Sequence, residues 1–256
     1  MSGHSHWATI KRKKESCDAK KGKEFSKVSK LLMSAAREGG ADPANNLKLQ
    51  YAMDRAKEVN MPKDNVERAV KKGLGGTEGL QLETVYYEGF GPAGIALMVE
   101  AITDNRNRAV SEIRKIFDTR GGRLGDVNSV RRLFDRKGFF TIPAGSLKED
   151  EVLNIALEAG ADDAELVGSV YEITCDPKDF GSVKKFLKDK KLELATSELT
   201  YVPKEYIPIS NKNESRKIID LMEALEDHDD VQNVFANFDI PEEIIAQVAA
   251  DKEAKA

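Results

Sequence analysis

Lys11, Arg12, Lys13, Lys14, Lys20, Lys21, Lys23, Lys27 and Lys30 face only Glu15, Asp18 and Glu24 within the first thirty residues of this 256-residue chain. Nine cations against three anions is a charge density suited to neutralising phosphates and releasing their counterions. His4, His6 and Trp7 lie just ahead of the run, and such rings can stack on unpaired bases or fold back on their own unit. A second, weaker basic group is Arg106 and Arg108, with Arg123 beyond them. Asp104 precedes that group and is expected to cap the helix that carries it, or to orient the arginines toward phosphate.

Other chemistries find less support. Gly89, Gly91 and Gly94 satisfy G-x-G-x-x-G, but Ile95 to Val99 reads as a buried strand, whereas a dinucleotide needs a helix N-terminus there. The glycines are therefore expected to be structural, with Gly91 at positive φ, and no cofactor is expected. His4 and His6 have only His228 as a further histidine, and neither cysteine is near them, so no metal site is expected. No Ser/His/Asp or Cys/His arrangement has supporting context, so no catalytic residue is assigned.

The elements that must position the basic residues follow from periodicity. From Asp18 to Arg37, Phe25, Val28, Leu32 and Ala35 form one helical stripe, closed by Gly39 and Gly40. Lys20, Lys23, Lys27 and Lys30 form another, roughly 150° away at 100° per residue, so these ammonium groups are expected to point away from the core. Replacing the four by Gln should then weaken binding and spare the fold. Asp42-Pro43 should open a second helix running to Val59, and Pro62 a third, stopped by Gly73. Gly73 to Gly79 reads as a linker.

Beyond it, strands and helices alternate. Two strands flank the glycine turn, a helix spans Arg106 to Thr119, and a strand is expected near Ser129 to Asp135, where Arg131 and Arg132 would point to opposite faces. The order β-α-β-β-α-β follows and is ferredoxin-like. The helix and strand near Glu214 to Asn237 then lack a sheet of their own, and the economical solution is that they complete the earlier one. The expected class is α+β: a three-helix unit at 1–78, a discontinuous α+β unit at 79–135 plus 206–240, a ferredoxin-like unit at 136–205 inserted in it, and a C-terminal helix and tail at 241–256. A single open sheet is the alternative.

Composition narrows the setting. Residues 1–80 carry 17 Lys+Arg against 10 Asp+Glu, and the remainder 23 against 34, so the net charge of −4 hides a basic front and an acidic rear. Only Cys17 and Cys175 are present, which fits a reducing cytoplasm, and no stretch has the apolar length of a membrane span.

The segments GHSHWATIKRKK, DAKKGKEFSK, AAREGGADP, NMPKDNVERAVKKG, YEGFGPAGIAL, TDNRNRAVSEIR and GGRLG together resemble the YebC/PmpR family of probable transcriptional regulators. The motifs run from Gly3 to about Lys137; Asn128, Arg131 and Arg132 depart from the family pattern. The resemblance implies a helical N-terminal domain and two α+β domains, one inserted in the other. It also implies a regulator of gene expression acting on promoter DNA or, as in the mitochondrial translational activator of cytochrome c oxidase, on translation at the ribosome. The expected partner is nucleic acid, DNA or ribosomal RNA. The absence of helix-turn-helix grammar and the preponderance of Lys on the basic stripe favour backbone contact over base readout.

Overall fold

The computed structural model describes residues 18–75, 81–145 and 148–253, with side chains from 22 to 252. Three helices come first: α1 (Asp18–Gly39), α2 (Leu47–Glu58) and α3 (Lys63–Leu74). Val28, Leu32, Ala35 and Ala36 of α1 close on Leu49, Ala52 and Ala56 of α2 and Ala69 of α3. The second helix starts later than expected, because Asn46 and not Asp42 caps it. The buried Asn46 side chain accepts from Leu49 N and donates to the Ala35 and Gly40 carbonyls, tying the start of α2 to the end of α1. Asp42 instead holds a turn through Ala44 N and Asn45. Nor does Gly73 stop α3. It lies inside the helix where a Cβ would stand 2.4 Å from the Met33 carbonyl oxygen, so only glycine lets α1 and α3 approach that closely.

The central sheet is antiparallel with the order β3-β1-β2-β9, built from β1 (Glu83–Phe90), β2 (Ala96–Thr103), β3 (Arg123–Leu124) and β9 (Val231–Ala236). The expected return of the chain is thus observed: β9 pairs beside β2, with Val99 opposite Val234. Val85, Leu97 and Val99 face α4 (Arg106–Thr119), α7 (Lys212–Glu226) and α8 (Glu242–Glu253) in one apolar core. Between these halves runs β4 (Phe134–Pro143), α5 (Glu149–Ala159), β5 (Asp163–Val167), β6 (Val170–Cys175), α6 (Phe180–Asp189) and β7 (Thr196–Pro203). Its sheet order, β5-β6-β4-β7, is that of the ferredoxin-like arrangement, with Phe140 stacked on Phe180 at 5.0 Å inside it. A short parallel pair, β8 (Ile207–Pro208) with β10 (Phe238–Asp239), fastens the return. The single-open-sheet alternative is excluded by the two separate four-stranded sheets.

The central sheet is covered on its second face as well, which is why β2 is buried almost without alternation. Ala96, Met98 and Phe235 meet Val130, Phe134 and Tyr201 there, and the Tyr201 ring stands edge-on to Phe235 at 5.1 Å. Lys184 of α6 pairs with Asp54 of α2 at 2.9 Å, so the helical unit also touches the inserted one. Among the described residues no helix is long and apolar enough to cross a membrane.

Candidate nucleic-acid interface

The part of the lysine stripe whose side chains are described, Lys23, Lys27 and Lys30, turns away from the helical core but is not simply solvated, although Lys23 remains exposed. It lies on the C-terminal end of α7, about two hundred residues away in sequence. A helix end leaves its last carbonyls without intrahelical partners and carries a partial negative charge. Lys23 Nζ donates to the Asp227 carbonyl at 3.3 Å, Lys27 Nζ to the Glu226 carbonyl, and Lys30 Nζ to the Asp229 carbonyl at 3.0 Å. Lys30 also reaches Asp230 Oδ1 at 2.6 Å.

Asp230 is the centre of this contact. Its side chain is only 4 % exposed, yet it receives Lys30 on one oxygen and, on the other, Thr103 Oγ1 at 2.9 Å and Arg108 Nη2 at 2.8 Å. Burial pushes the carboxyl upward, but the hydrogen bonds from Lys30, Arg108 and Thr103 outweigh it and bring the pKa to about 2. Arg108 is held a second time by Asp104 at 2.8 Å, and the Asp230 and Asp104 hydrogen bonds raise its own pKa further. Asp104 is therefore an ion-pair partner and not the helix cap. Asn105 caps α4, accepting from Arg108 N at 3.0 Å. Arg106 stands apart, 3.5 Å from Glu83 with both side chains exposed.

His228 completes the cluster. Asp230 N–H donates to His228 Nδ1 at 3.1 Å, which leaves Nε2 to carry the proton and donate to Glu112 at 2.9 Å. The resulting cleft, of about 460 Å³, is lined by Lys23, Lys30, Arg108, Glu112, Asp227, His228, Asp229 and Asp230. Its cations face carboxylates and helix-end carbonyls of its own, so it is charge-compensated rather than an empty anion seat. Of the sequence-assigned residues, the structure brings Lys23, Lys27, Lys30 and Arg108 together at this contact and leaves Arg106 outside it. Lys20 and Lys21 lie on α1, their side chains outside the described residues. His4, His6, Trp7, Lys11, Arg12, Lys13 and Lys14 lie outside the described residues altogether.

A different cationic surface was not assembled by sequence reasoning. The segment expected as a strand at Ser129–Asp135 is a loop ending in a single 3-10 turn at Arg131–Leu133, with the strand beginning at Phe134. The cause is Glu88, whose carboxylate is 5 % exposed on β1 and accepts Asn128 N at 2.8 Å, Val130 N at 2.8 Å and Arg131 N at 2.9 Å. Those three amides are drawn out of any strand ladder, and Asn128 takes φ +66° to allow it. Arg131 and Arg132 thus do not alternate across a sheet. Arg131 lies over the rings of Tyr86 at 5.4 Å and Tyr201 at 5.8 Å, and both arginines are exposed. Arg123 sits over Phe90 at 4.8 Å.

The glycine turn carries no helix. Gly91 to Gly94 runs through one 3-10 turn straight into β2. Its positive-φ residues are Ala93 and Gly94; Gly91, at φ −97°, is required for space instead, since a Cβ would stand 2.8 Å from both Ile95 and Leu97 side chains. Among the described residues no group of three or more His, Cys, Asp or Glu side chains could hold a metal ion.

Comparison with known proteins gives a consistent picture. Residues 5–76 match the model of the TACO1/YebC protein N-terminal domain, and residues 82–238 that of the TACO1/YebC second and third domain. A protein of Dictyoglomus thermophilum named probable transcriptional regulatory protein is 48% identical over 250 residues, covering 97% of this chain and 100% of its own length. One of Rubrobacter xylanophilus with the same name is 47% identical over 250 residues, again covering 97% of this chain and 100% of its own length. The crystal structure of a conserved hypothetical protein from Aquifex aeolicus superposes with a TM-score of 0.80 at 43% identity, covering 88% of this chain and 92% of that one.

Proposed function

We propose, from the premise that this chain belongs to the TACO1/YebC family, that it is a nucleic-acid-binding regulator of gene expression in the cytoplasm, acting by binding and not by catalysis. The relatives' shared name points to transcription, and DNA is the partner that name suggests. The observation that carries the reading is the segregation of charge: four consecutive cations, Lys11 to Lys14, precede a helix on which Lys23, Lys27 and Lys30 already meet the acidic half of the chain. The phosphate contacts are accordingly placed on Lys11, Arg12, Lys13 and Lys14, with His4, His6 and Trp7 as stacking partners and Lys20 and Lys21 beside them.

A second reading, control of translation through ribosomal RNA, is favoured by the same docking. Lys23, Lys27 and Lys30, the cations of α1 that could lie along a duplex, reach carbonyls at the C-terminal end of α7, and a factor whose basic helix is engaged in this way suits unpaired or irregular RNA better than a major groove. Sedimentation of lysate through sucrose at moderate salt separates the two. Co-migration with ribosomes that survives DNase supports translation; association lost to DNase supports the promoter. A protein that stays at the top of the gradient, and binds neither DNA nor RNA when purified, sinks both.

A further inference from the structure

Tyr86, Glu88 and Phe90 alternate along β1 and so project to one face of the central sheet. Each holds a different part of the segment 120–132. Phe90 carries the Arg123 guanidinium, Glu88 takes three backbone amides of the loop, and Tyr86 with Tyr201 carries the Arg131 guanidinium. Four residue steps along the strand separate the two stacking rings, roughly 13 Å at ~3.3 Å per residue. Between them the loop tip leaves Val127 85 % exposed. The segment has Arg120, Arg123, Arg131 and Arg132 against the single acid Asp126. Among the described residues none of these four arginines has an ion pair, in contrast to Arg108 and Lys30.

This combination is uncommon for a merely solvated loop. The backbone is fixed by a buried carboxylate, the Arg123 and Arg131 guanidinium groups rest near aromatic rings, with Arg131 also donating to the Tyr201 hydroxyl at 3.3 Å, and an aliphatic side chain is presented to water at the tip. A guanidinium beside a ring keeps its charge, so its remaining N–H groups can meet a phosphate and its planar group can stack on a base.

We infer that segment 120–132 is a contact surface for unpaired nucleic acid, on which Arg123, Arg131 and Arg132 engage phosphates or stack on bases and Val127 packs against a base between them. Resting on the nucleic-acid reading above, the assignment adds a second surface, on a different unit of the molecule from the N-terminal run. Single strands fit it better than duplex. The loop is too short to fill a major groove, whereas stacking on a guanidinium requires a base free of its neighbour.

The test uses the full chain and a labelled 12-nucleotide single-stranded RNA, with the same sequence as single-stranded DNA and as duplex DNA for comparison, read by fluorescence anisotropy over a salt series. Variant R123Q/R132Q leaves Arg131 in its packing between the two sheets, and V127A tests the tip. R123Q/R132Q, with an unchanged melting temperature, should bind single-stranded RNA at least about tenfold more weakly, and its salt slope should fall by roughly 1.4, at about 0.7 for each phosphate no longer neutralised. V127A should weaken binding while leaving the slope alone. Unchanged affinity and slope in folded R123Q/R132Q overturns the surface, while loss of binding on deletion of residues 2–15 in the same assay leaves the general reading standing. Equal losses on duplex and single strand overturn the preference for unpaired strands. A parent chain that binds none of the three probes overturns the nucleic-acid reading and this surface with it.

Discussion

Lys23, Lys27 and Lys30 on one side, and Arg123, Arg131 and Arg132 on the other, look alike as charge but differ in what already meets them. The lysines end on carbonyls of a helix terminus and on a buried carboxylate, so their charge holds two units of the molecule together. Arg123 and Arg131 end on aromatic faces, which orient a guanidinium without neutralising it. A cation compensated inside the protein contributes to stability, whereas one that is oriented but uncompensated is available to a partner. The density of positive charge in a sequence does not distinguish the two cases; the nature of the neighbour does.

The largest expected effect lies under the arginine loop. Glu88→Ala removes the acceptor of three amides, one of them on fully buried Val130, and should cost about 3 kcal/mol in urea unfolding. Hydrogen exchange at Asn128 and Arg131 should accelerate in the same variant. Protection there equal to the parent's would mean that the loop is held by something other than the carboxylate.

Asp230→Asn comes next and strikes the lysine contact. It should lower stability by about 2 kcal/mol at neutral pH, because Lys30 and Arg108 lose their charged acceptor while remaining partly buried or paired elsewhere. The sign with pH is definite. The folded carboxyl, at about 2, lies below its unfolded value of about 3.9, so its contribution is complete above pH ~4 and is lost as the pH falls toward 2. The unfolding free energies of parent and variant should therefore converge over that interval; a constant gap between pH 5 and pH 2 would exclude Asp230 as the titrating group.

The triple variant K23Q/K27Q/K30Q sharpens the comparison from the same side. It should lose about 1 to 2 kcal/mol of stability, while its affinity for nucleic acid stays near that of the parent. This reverses the expectation drawn from the helical wheel. A melting temperature unmoved by the triple change, with binding abolished, would restore it. The smallest effect belongs to Arg106→Ala, whose exposed partner Glu83 stands 3.5 Å away. Its stability should shift by no more than about 0.5 kcal/mol, within reach of a careful thermal melt.

What the sequence conveyed and what it withheld divide along the range of the interactions. Helix α4 and the βαββαβ order were legible because their apolar spacing is local, and the return of Val231–Ala236 to the first sheet could be inferred from an unfilled topology. The stripe of lysines was legible as a stripe. Its partner was not, since nothing near Lys23 announces the carbonyls of Glu226 and Asp227. Asn46 and Asn105 displaced the caps assigned to Asp42 and Asp104 because Asp42 holds a local turn and Asp104 pairs with Arg108, while Asn46 also ties α2 to the end of α1. Arg131 and Arg132 were misplaced in a strand for a related reason. A strand pattern cannot register that a glutamate forty-odd residues earlier will take the backbone amides. The signal that could have found it is Glu88 itself, an acid set among Val85, Tyr86, Tyr87 and Phe90.

The lysine contact has a consequence for biosynthesis. Lys23, Lys27 and Lys30 meet acceptors 199 to 204 residues further along the chain. At about 5–20 residues per second, the N-terminal helices emerge from the ribosome ~10–40 s before α7 and the Asp227–Asp230 segment can reach them. For that interval the completed helical unit shows a nascent-chain face whose ammonium groups have no internal acceptors. Its closure onto α7 needs the chain only as far as Asp230, the residue just before the last strand of the central sheet.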